Sequence, residues 1–549
     1  MSSLLLAGIS IFALFLGYVF YSRKIIKWIG LDNSQTTPAV EINDGVDYVP
    51  AKHWTILFGH HFASIAGAAP ILGPVIACLY WGWLPAVIWI VAGGIFFGAM
   101  HDFVALVLSL RHQGKSITTI TESVMGKASQ ILFSIFAFLA LILVVAVFAA
   151  VAGQTLASTP EVVIPTFGLI VVALIVGLLM YRMQLHVLLC SVIGVLLLFG
   201  LIVAGYYVPI ELGVKNPAAW WTVILIVYGM IASVTPITLL LQPRDHLAGA
   251  VLYLGMFFGF VGLIITHPEI KAPAVISFTG AKGWLWPMLF VTIACGAISG
   301  FHSLVSSGTT SKQVRRMGDA RVIGYGAMIM ESALAILAVI AVTAGLYWKS
   351  APEGVQGLVY QELFSEGGWI KAFGAGYGEL TKVFFGGLGA LIGITMLKTF
   401  IMTTLDTATR ISRYMCNELF GETFGIRIMK NRYVAVIIVG VSSGALALGN
   451  WKAIWPVFGA ANQLVASLVL IVASMYLLTH KRNYVFTAVP AVIMLVTTIA
   501  ALIYQAYNFA TAEKPNFLLA AVAVILIFLA LFLSYTALVV ITRTRKNSV

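Results

Sequence analysis

Four titratable residues lie inside apolar stretches of the sequence, where such residues are rare. His60 and His61 are adjacent in ILFGHHFASI, Asp102 lies in GAMHDF, and His302 lies in SGFHSL. A titratable side chain in hydrocarbon costs at least ~2.5 kcal/mol, so each of them needs a partner or a function. A carboxylate beside imidazoles titrates across neutral pH, which suits proton transfer or substrate contact. Structural hydrogen bonding is one alternative, and a metal site at these four residues is another.

The depths of these residues in their spans predict which of them meet. His60 lies five residues from the start of its predicted span, Asp102 nine residues before Arg111, and His302 ten residues before Lys312. At ~1.5 Å per residue this places all three about 8–15 Å below one membrane surface, so we expect them to be neighbours. Glu331 lies close to the middle of its own span and is either a protonatable coupling site or a hydrogen-bonded anchor.

Other polar residues in apolar stretches have simpler interpretations. Ser306 and Thr310, in a hydroxyl-rich run, provide oxygen ligands for sodium or allow close helix packing. Asp406 and Arg410 are spaced i, i+4 and are predicted to form an ion pair. Lys398 is predicted to extend to the interface. The adjacent Asn462 and Gln463 are predicted to form hydrogen bonds between helices.

The element that must position these groups is the stretch 55–80. It is apolar enough to enter lipid, but Gly67, Pro70 and Pro74 interrupt the helical hydrogen-bond ladder. Unpaired backbone groups at membrane depth are tolerated only inside protein or beside a polar cavity. A broken spanning helix therefore predicts a transporter binding site.

A second interrupted span is predicted at 219–241, where Pro236 follows polar residues. We expect the two breaks to face each other across a polar pocket halfway through the bilayer. The predicted substrate-binding residues are Gly67, Ala68, Ala69, Ser233, Thr235 and Pro236. The predicted ion-coupling residues are His60, His61, Asp102, His302, Ser306, Thr310 and Glu331.

Composition places the chain in a membrane. The sequence is 60% hydrophobic and 9% charged, which excludes a soluble globular domain and a disordered chain. The net charge of +12 is spread over short connections, so it does not indicate nucleic-acid binding. The four cysteines have no CxxC spacing and are read as buried apolar residues.

Fifteen membrane spans are predicted from apolar runs. They cover 4–21, 55–80, 84–110, 130–153, 162–181, 187–208, 219–241, 247–266, 284–306, 322–346, 379–405, 433–449, 453–478, 485–506 and 515–540. Strict alternation puts 24 of the 32 basic residues, including every arginine, on the cytoplasmic side. The prediction is an N-terminus outside and a C-terminus inside, with the connection 347–378 outside as a lid or re-entrant piece.

The order of the broken spans suggests an internal repeat. Five spans followed by five inverted spans, with the first helix of each half broken, is the LeuT-type arrangement. The predicted fold is therefore all-α, with a 5+5 inverted-repeat core and peripheral helices. Its parts are a first span and cytoplasmic loop (1–54), a first repeat (55–208), a second repeat (219–411) and peripheral C-terminal helices (431–549).

Five motifs resemble those of the carbon starvation protein A family of bacterial inner-membrane carriers. They are DGVDYVPAKHWTILFGHHFASIAGAAPILGPV from Asp44, GAMHDF from Gly98, SGFHSLVSSGTTSKQ from Ser299, TTLDTATRISRY from Thr403 and WPVFGAANQLVA from Trp455. The resemblance covers about residues 40 to 480. It implies a proton-coupled nutrient importer, induced when carbon is scarce, that takes peptides or pyruvate.

The sequence thus predicts a secondary transporter and not an enzyme, with no cofactor. The substrate carboxylate would bind the exposed N–H groups at the start of the second half of the broken helix. Three alternatives remain open: a sodium-coupled symporter of the same fold, a membrane metalloenzyme with a His/Asp site, and a channel. The substrate itself stays open between a peptide and pyruvate.

Overall fold

The computed structural model describes residues 2–280, 282–353, 357–449 and 451–546, and it describes the side chains of all of these except 451–456 and 543–546. The described chain is helical apart from its connections and one short hairpin of β1 (Thr279–Gly280) and β2 (Gly283–Trp284). The all-α class predicted from composition is confirmed.

The first half of the chain runs through thirteen α-helices of the described part. They are α1 (Ser3–Leu16), α2 (Ser22–Ile29), α3 (Pro38–Glu41), α4 (Trp54–Ala66), α5 (Ala69–Tyr80), α6 (Trp83–Gly93), α7 (Ala99–Arg111), α8 (Ile117–Met125), α9 (Lys127–Ser158), α10 (Val163–Gly177), α11 (Val187–Tyr207), α12 (Pro217–Val234) and α13 (Leu241–Thr266). Single π-helical turns join α1 to α2 and α6 to α7, so each of these pairs is one continuous rod.

The second half begins with two short helices. Its helices are α14 (Phe290–Thr292), α15 (Gly300–Gly308), α16 (Ala327–Ala344), α17 (Tyr360–Phe385), α18 (Gly389–Cys416), α19 (Arg432–Leu448), α20 (Trp451–Thr479), α21 (Val485–Thr511) and α22 (Phe517–Lys546). A π-helical turn, Leu285–Leu289, precedes α14, and a 3-10 turn, Thr310–Lys312, follows α15.

Twelve helical segments in the described residues are long and apolar enough to cross a membrane, and counting the bent pair α4–α5 makes thirteen. The predicted count of fifteen is not confirmed. Two predicted spans fail this criterion: 433–449 corresponds to a shorter apolar helix, Arg432–Leu448, and 284–306 is interrupted.

The predicted break in the stretch 55–80 is confirmed. Helix α4 ends at Ala66, Gly67 adopts a positive φ of 50°, and α5 begins at Ala69 with a bend of 40°. Glycine is needed there because a side chain is strained at this φ. Pro70 lies in the first turn of α5, where its missing N–H would have had no helical partner.

The predicted break at Pro236 is wrong. Helix α12 ends at Val234 and α13 begins at Leu241, so Pro236 lies in the connection between two helices. The second interruption lies at 293–299, between α14 and α15, inside the stretch predicted to be one continuous helix. No proline marks it, and Ile293 leaves the helical conformation at φ −92° and ψ 70°.

The two breaks pack against each other. A Cβ atom at Gly73 of α5 would lie 2.5 Å from the carbonyl oxygen of Thr292 and 3.1 Å from the Cα of Ile293. Gly296 in the second break likewise approaches Pro70. The absence of a side chain at Gly73 therefore sets how closely the two discontinuous helices approach.

We expect Gly73→Val to destabilise the protein by about 1–3 kcal/mol, because backbone atoms of the second break cannot move away without losing their own contacts. A lower Tm of the purified protein in detergent would show this. Gly200→Val is the matched control, since a Cβ at Gly200 of α11 meets no atom within 4 Å. Equal Tm values for the two variants would contradict the prediction.

The connection 347–378 is largely helical. Helix α17 occupies most of it, with a non-helical Gly368, and packs against α5, α13, α16 and α18. The hydroxyl of Tyr360 donates a hydrogen bond to the carbonyl of Val75 in α5. This segment therefore covers the second half of the first broken helix.

Candidate functional site

A cavity of about 120 Å³ lies between the two discontinuous helices. Its walls are formed by α5, the π-turn and α14 with the start of the second break, α20 and α21. The lining residues are Ala69, Leu72, Ile76, Lys282, Met288, Val291, Thr292, Ala294, Cys295, Phe458, Gly459, Asn462 and Gln505. Lys282 is exposed, so the cavity is reached from the end of α5 that carries Tyr80, which we call the Lys282 end.

The carbonyl groups before the first break have hydrogen-bond partners, whereas the N–H groups at the break have no backbone partner within the described residues. The Ala63 and Ser64 carbonyls accept hydrogen bonds from the hydroxyls of Thr403 (2.9 Å) and Thr404 (3.1 Å) of α18. Within the described residues, the N–H groups of Gly67, Ala68 and Ala69 have no backbone partner. These N–H groups stand at the positive end of α5, and Ala69 lines the cavity.

Two amide side chains of α20 bind backbone groups flanking the second break. Asn462 Oδ1 accepts from the N–H of Phe301 (2.8 Å), and its Nδ2 donates to the Ser299 hydroxyl (2.9 Å). Gln463 Nε2 donates to the Phe290 carbonyl (2.6 Å). The prediction that Asn462 and Gln463 link helices by hydrogen bonds is confirmed.

Asp102 and His302 meet, as predicted, in a fully buried group. Asp102 Oδ2 lies 2.9 Å from His302 Nδ1, and its Oδ1 lies 2.8 Å from His101 Nδ1. Glu331 Oε2 of α16 lies 3.4 Å from His302 Nε2. Cys295 Sγ completes a set of ligand-type atoms with His302 and Glu331, all within 4.8 Å of one another. We call Cys295, His302 and Glu331 the hinge cluster, because they surround the second break.

His60 does not join this group, and that part of the prediction is wrong. His60 Nδ1 lies 2.6 Å from Asp245 Oδ2, at the start of α13. Asp245 Oδ1 lies 2.8 Å from Arg244 Nη2, and Arg244 also pairs with Asp406 of α18. Equal depth does not determine the direction in which a side chain points. We call His60, Asp245, Arg244 and Asp406 the charged chain.

An amide pair continues from the other ring nitrogen of His60. Gln313 Nε2 lies 3.1 Å from His60 Nε2, and Gln313 Oε1 accepts from Gln242 Nε2 at 2.9 Å. With Gln313 as donor, His60 Nε2 is the acceptor and Nδ1 carries the proton toward Asp245. Both ring nitrogens of His60 are then in use.

His61 and the hydroxyl-rich run lie beside these groups. His61 Nδ1 lies 2.8 Å from the Thr310 hydroxyl. Ser306 is fully buried, and its hydroxyl has no partner among the described residues. His60 and His61 thus have different partners, as their positions on a helix require.

The predicted Asp406–Arg410 ion pair is wrong, because each residue pairs elsewhere. Asp406 pairs with Arg244, and Arg410 Nη1 lies 2.9 Å from Asp47 Oδ1. Lys398 does not extend to the interface either: it is 1% exposed, and its Nζ donates to the Ala152 carbonyl.

Ser233, Thr235 and Pro236 lie away from the cavity. Arg410 Nη2 donates to the carbonyl of Thr235, whereas Gly67 lies beside Thr404, six residues earlier on α18. Six helical residues correspond to about 9 Å. These three residues therefore stand nearer the opposite end of the molecule than the first break does.

Residues 44–51 form a strap across that opposite end, which we call the Asp47 end. Val49 and Ala51 N–H groups donate to the Lys312 and Gln313 carbonyls at 3.1 and 3.0 Å. Asp47 accepts from Arg410 (2.9 Å), Arg413 (3.2 Å) and the Tyr414 hydroxyl (2.6 Å).

Burial alone would raise the pKa of Asp47. The guanidinium groups of Arg413 and Arg410 and the Tyr414 hydroxyl outweigh it and hold this pKa below its ordinary value. The strap therefore keeps its negative charge at neutral pH and ties the ends of α15 and α18 together.

Sequence reasoning missed Arg244, Asp245, His101 and Asp47 as members of these networks. The spans predicted at 219–241 and 247–266 leave Arg244 and Asp245 in the connection between them, although the motif QPRDH places opposite charges and a histidine within five residues. In the structure they open α13 and are buried.

Two discontinuous helices within a bundle of apolar helices, with buried charges beside both breaks, define a multi-pass membrane protein built around interrupted spans. The family model described as "Carbon starvation protein CstA" matches residues 2–357 and 353–501. The chain belongs to this family.

Curated relatives are similar over most of their length. The pyruvate/proton symporter BtsT of Escherichia coli K12 is 34% identical, with 91% of this chain and 81% of the relative covered. The peptide transporter CstA of Campylobacter jejuni is 32% identical, covering 90% and 79%.

Among solved structures, MhsT in complex with L-phenylalanine aligns with a TM-score of 0.49 and 12% identity, covering 89% of this chain and 99% of that one. A manganese transporter of Eremococcus coleocola aligns with a TM-score of 0.48, also at 12% identity, covering 92% and 99%.

Proposed function

We propose that this protein is a secondary active transporter that imports a small carboxylate-bearing nutrient, pyruvate or a peptide, together with a proton across the bacterial inner membrane. The names of its relatives support this proposal, since they include a pyruvate/proton symporter and peptide transporters. The observation that carries it is a cavity between two broken helices that is reached from the Lys282 end while a strap bridges the other end.

The substrate carboxylate is proposed to bind the N–H groups of Gly67, Ala68 and Ala69. These groups combine unpaired donors with the positive end of α5, which favours an anion. Lys282 at the rim attracts the same charge. The predicted contribution of Ser233, Thr235 and Pro236 is replaced by that of the second break and α20.

Cavity volume favours the smaller substrate in this conformation. Pockets that hold drug-sized ligands have volumes of roughly 300–1,000 Å³, and this cavity of about 120 Å³ lies well below that range. That space suits a three-carbon oxoacid better than a dipeptide, which would need the breaks to move apart.

Proton coupling is proposed to act at His60. Its Nε2 accepts from Gln313, so a proton added there confronts the amide donor and forces the Gln313 amide to turn its oxygen toward the ring. That rotation breaks the Gln313–Gln242 hydrogen bond. Gln313 also accepts the Ala51 N–H through its backbone, which connects protonation to the strap.

Groups on neighbouring elements face both ring nitrogens of His60. Asp245 of α13 accepts from Nδ1, and its second oxygen is shared with Arg244, which in turn faces Asp406 of α18. His61 follows on the same helix and faces Thr310. An imidazolium between a carboxylate and a rotated amide keeps both N–H groups satisfied.

The orientation proposed is the Asp47 end in the cytoplasm, with the N-terminus outside and the C-terminus inside. The distribution of arginines supports it. Alternating access then consists of opening the strap while the two breaks close over the cavity. Sodium coupling through Ser306 and Thr310 is the alternative within the same fold.

The test is counterflow in proteoliposomes loaded with unlabelled substrate. Labelled pyruvate and a labelled dipeptide are offered in parallel, with and without sodium. We expect transient accumulation of pyruvate that does not require sodium and is enhanced by an inward pH gradient. A sodium requirement would favour sodium coupling over proton coupling. The absence of counterflow with both substrates would contradict the proposal.

A further inference from the structure

The hinge cluster contains buried ligand-type atoms that lack hydrogen bonds. His302 Nε2 and both Glu331 carboxylate oxygens are fully buried, and none has a hydrogen bond within the described residues, although Glu331 Oε2 lies within ion-pair distance of His302 Nε2 at 3.4 Å. Buried polar groups without partners are costly, and buried charges are usually paired or bind a metal. No Lys or Arg of the described chain forms an ion pair with Asp102 or Glu331.

From these contacts we infer that Cys295, His302 and Glu331 form a binding site for a transition-metal ion of the zinc class, and that the bound ion holds the second break closed. A thiolate, an imidazole and a carboxylate are a ligand set suited to zinc. Three protein ligands leave a fourth position for water. The inhibitory consequence rests on the proposed transport function, whereas the binding site does not.

The geometry of the cluster needs little adjustment. His302 Nε2 and Glu331 Oε2 are already 3.4 Å apart, about the separation of two ligands on one tetrahedral zinc ion. The full set lies within 4.8 Å, so Cys295 Sγ needs to approach by about 1 Å at most.

The surroundings of His302 resemble those of a metal-binding histidine. Metal-bound imidazoles usually donate their other ring N–H to a carboxylate, which fixes the ring and its tautomer. His302 Nδ1 has such a partner in Asp102 Oδ2 at 2.9 Å, and Asp102 is itself held by His101. The free ring nitrogen is thereby directed at the position of the ion.

The site also has an entry path and a mechanical consequence. Cys295 lines the cavity that is reached from the Lys282 end, so an ion can arrive from that side. The three ligands lie on the unwound segment, on α15 and on α16. One ion bound to all three fixes the angle between the unwound segment and its neighbours, so we expect it to stop transport.

The test is metal binding to the purified full-length protein with Zn²⁺ or Co²⁺ alone as the probe. We expect one ion per chain, and a thiolate-to-cobalt charge-transfer band with Co²⁺. Cys295→Ser should remove the band, and Cys295→Ser and Glu331→Gln should each weaken Zn²⁺ binding at least ten-fold. Asp102→Asn should weaken it 10- to 100-fold by releasing the ring of His302.

Cys78→Ser is the matched control, because Cys78 is also a buried cysteine but lies on α5 outside the cluster. An unchanged elution profile and Tm without metal would show that each variant is folded. Absence of Zn²⁺ binding, or equal binding by the Cys295→Ser and Cys78→Ser variants, would overturn the site.

The proposed metal site and the proposed transport function can be contradicted independently of each other. External Zn²⁺ should lower the counterflow rate of the wild type and of Cys78→Ser, each relative to its own rate without Zn²⁺, whereas in Cys295→Ser that ratio should stay at one whatever the variant's rate without Zn²⁺. Zn²⁺ binding without any counterflow would leave the site in place and remove the transport proposal. Counterflow that is insensitive to Zn²⁺ in a metal-binding protein would overturn the inhibitory role.

Discussion

Uphill uptake driven by a pH gradient is expected to fall at least ten-fold in a His60→Asn variant, while counterflow of the same substrate continues. Asparagine can retain a hydrogen bond but cannot carry a proton at neutral pH. The substrate cavity is lined by other residues, so exchange without a gradient needs no proton at His60. The measurement compares gradient-driven accumulation and counterflow in the same proteoliposomes.

His246→Gln is the control for this prediction. His246 follows Asp245 on α13, but its Nε2 lies 2.7 Å from the Ser191 hydroxyl, and within the described residues no ion pair joins its side chain to the charged chain. Both activities should therefore stay near wild-type values. Full uphill accumulation in His60→Asn would remove His60 from the coupling mechanism, and loss of counterflow would show that the substitution disturbs the fold instead.

Breaking the strap has the second large expected effect. Arg410→Ala leaves Asp47, which is 18% exposed, with one of its two guanidinium partners, and losing a hydrogen bond to a charged group costs about 1.5–3 kcal/mol. That energy shifts the equilibrium between closed and open Asp47 ends about 10- to 100-fold toward opening. We expect net uptake to be lost because the outward-facing state is rarely populated.

Hydrogen–deuterium exchange measures this opening directly. The N–H groups of Val49 and Ala51 are protected by the Lys312 and Gln313 carbonyls, so they should exchange faster in Arg410→Ala. Arg427→Ala is the control, since Arg427 is an exposed arginine without an ion pair among the described residues. Unchanged protection of the strap in Arg410→Ala would contradict its role as a closure.

The pH dependence of the strap follows from the lowered pKa of Asp47. A carboxylate with a depressed folded pKa contributes stability that is fully present above its ordinary pKa, near 3.8, and is lost as pH falls through the lower folded value. The strap is therefore charged throughout the physiological range. Its opening must be driven through neighbouring groups such as Gln313 rather than by protonation of Asp47.

The sequence predicted the first break because Gly67 and Pro70 act on the backbone locally, whereas Pro74, expected to interrupt the helix as well, lies inside α5. Gly67 needs a positive φ, and Pro70 can only begin a helix, so the interruption follows from the residues themselves. The second break has no proline, and its amide partners lie more than 160 residues away on α20. Tertiary contacts of that kind leave no local pattern.

Side-chain pairing was predictable only in part. Depth along a span brought Asp102 and His302 together, but it could not distinguish the sides of α4, so His60 was placed with them instead of with Asp245. Spacing of i, i+4 paired Asp406 with Arg410, although Arg244 of α13 pairs with Asp406 and Asp47 of the strap pairs with Arg410. The division into repeats at 55–208 and 219–411 stays a prediction.

The side-chain amides of Asn462 and Gln463 connect the predicted peripheral C-terminal region to the second break. During synthesis, the segment around Ser299 leaves the ribosome about 160 residues before Asn462 does. At roughly 5–20 residues per second, this separation lasts on the order of ten seconds. During that interval the backbone groups beside Ser299 have no hydrogen-bonding amide of α20. The insertion machinery or water must therefore satisfy them until α20 is translated.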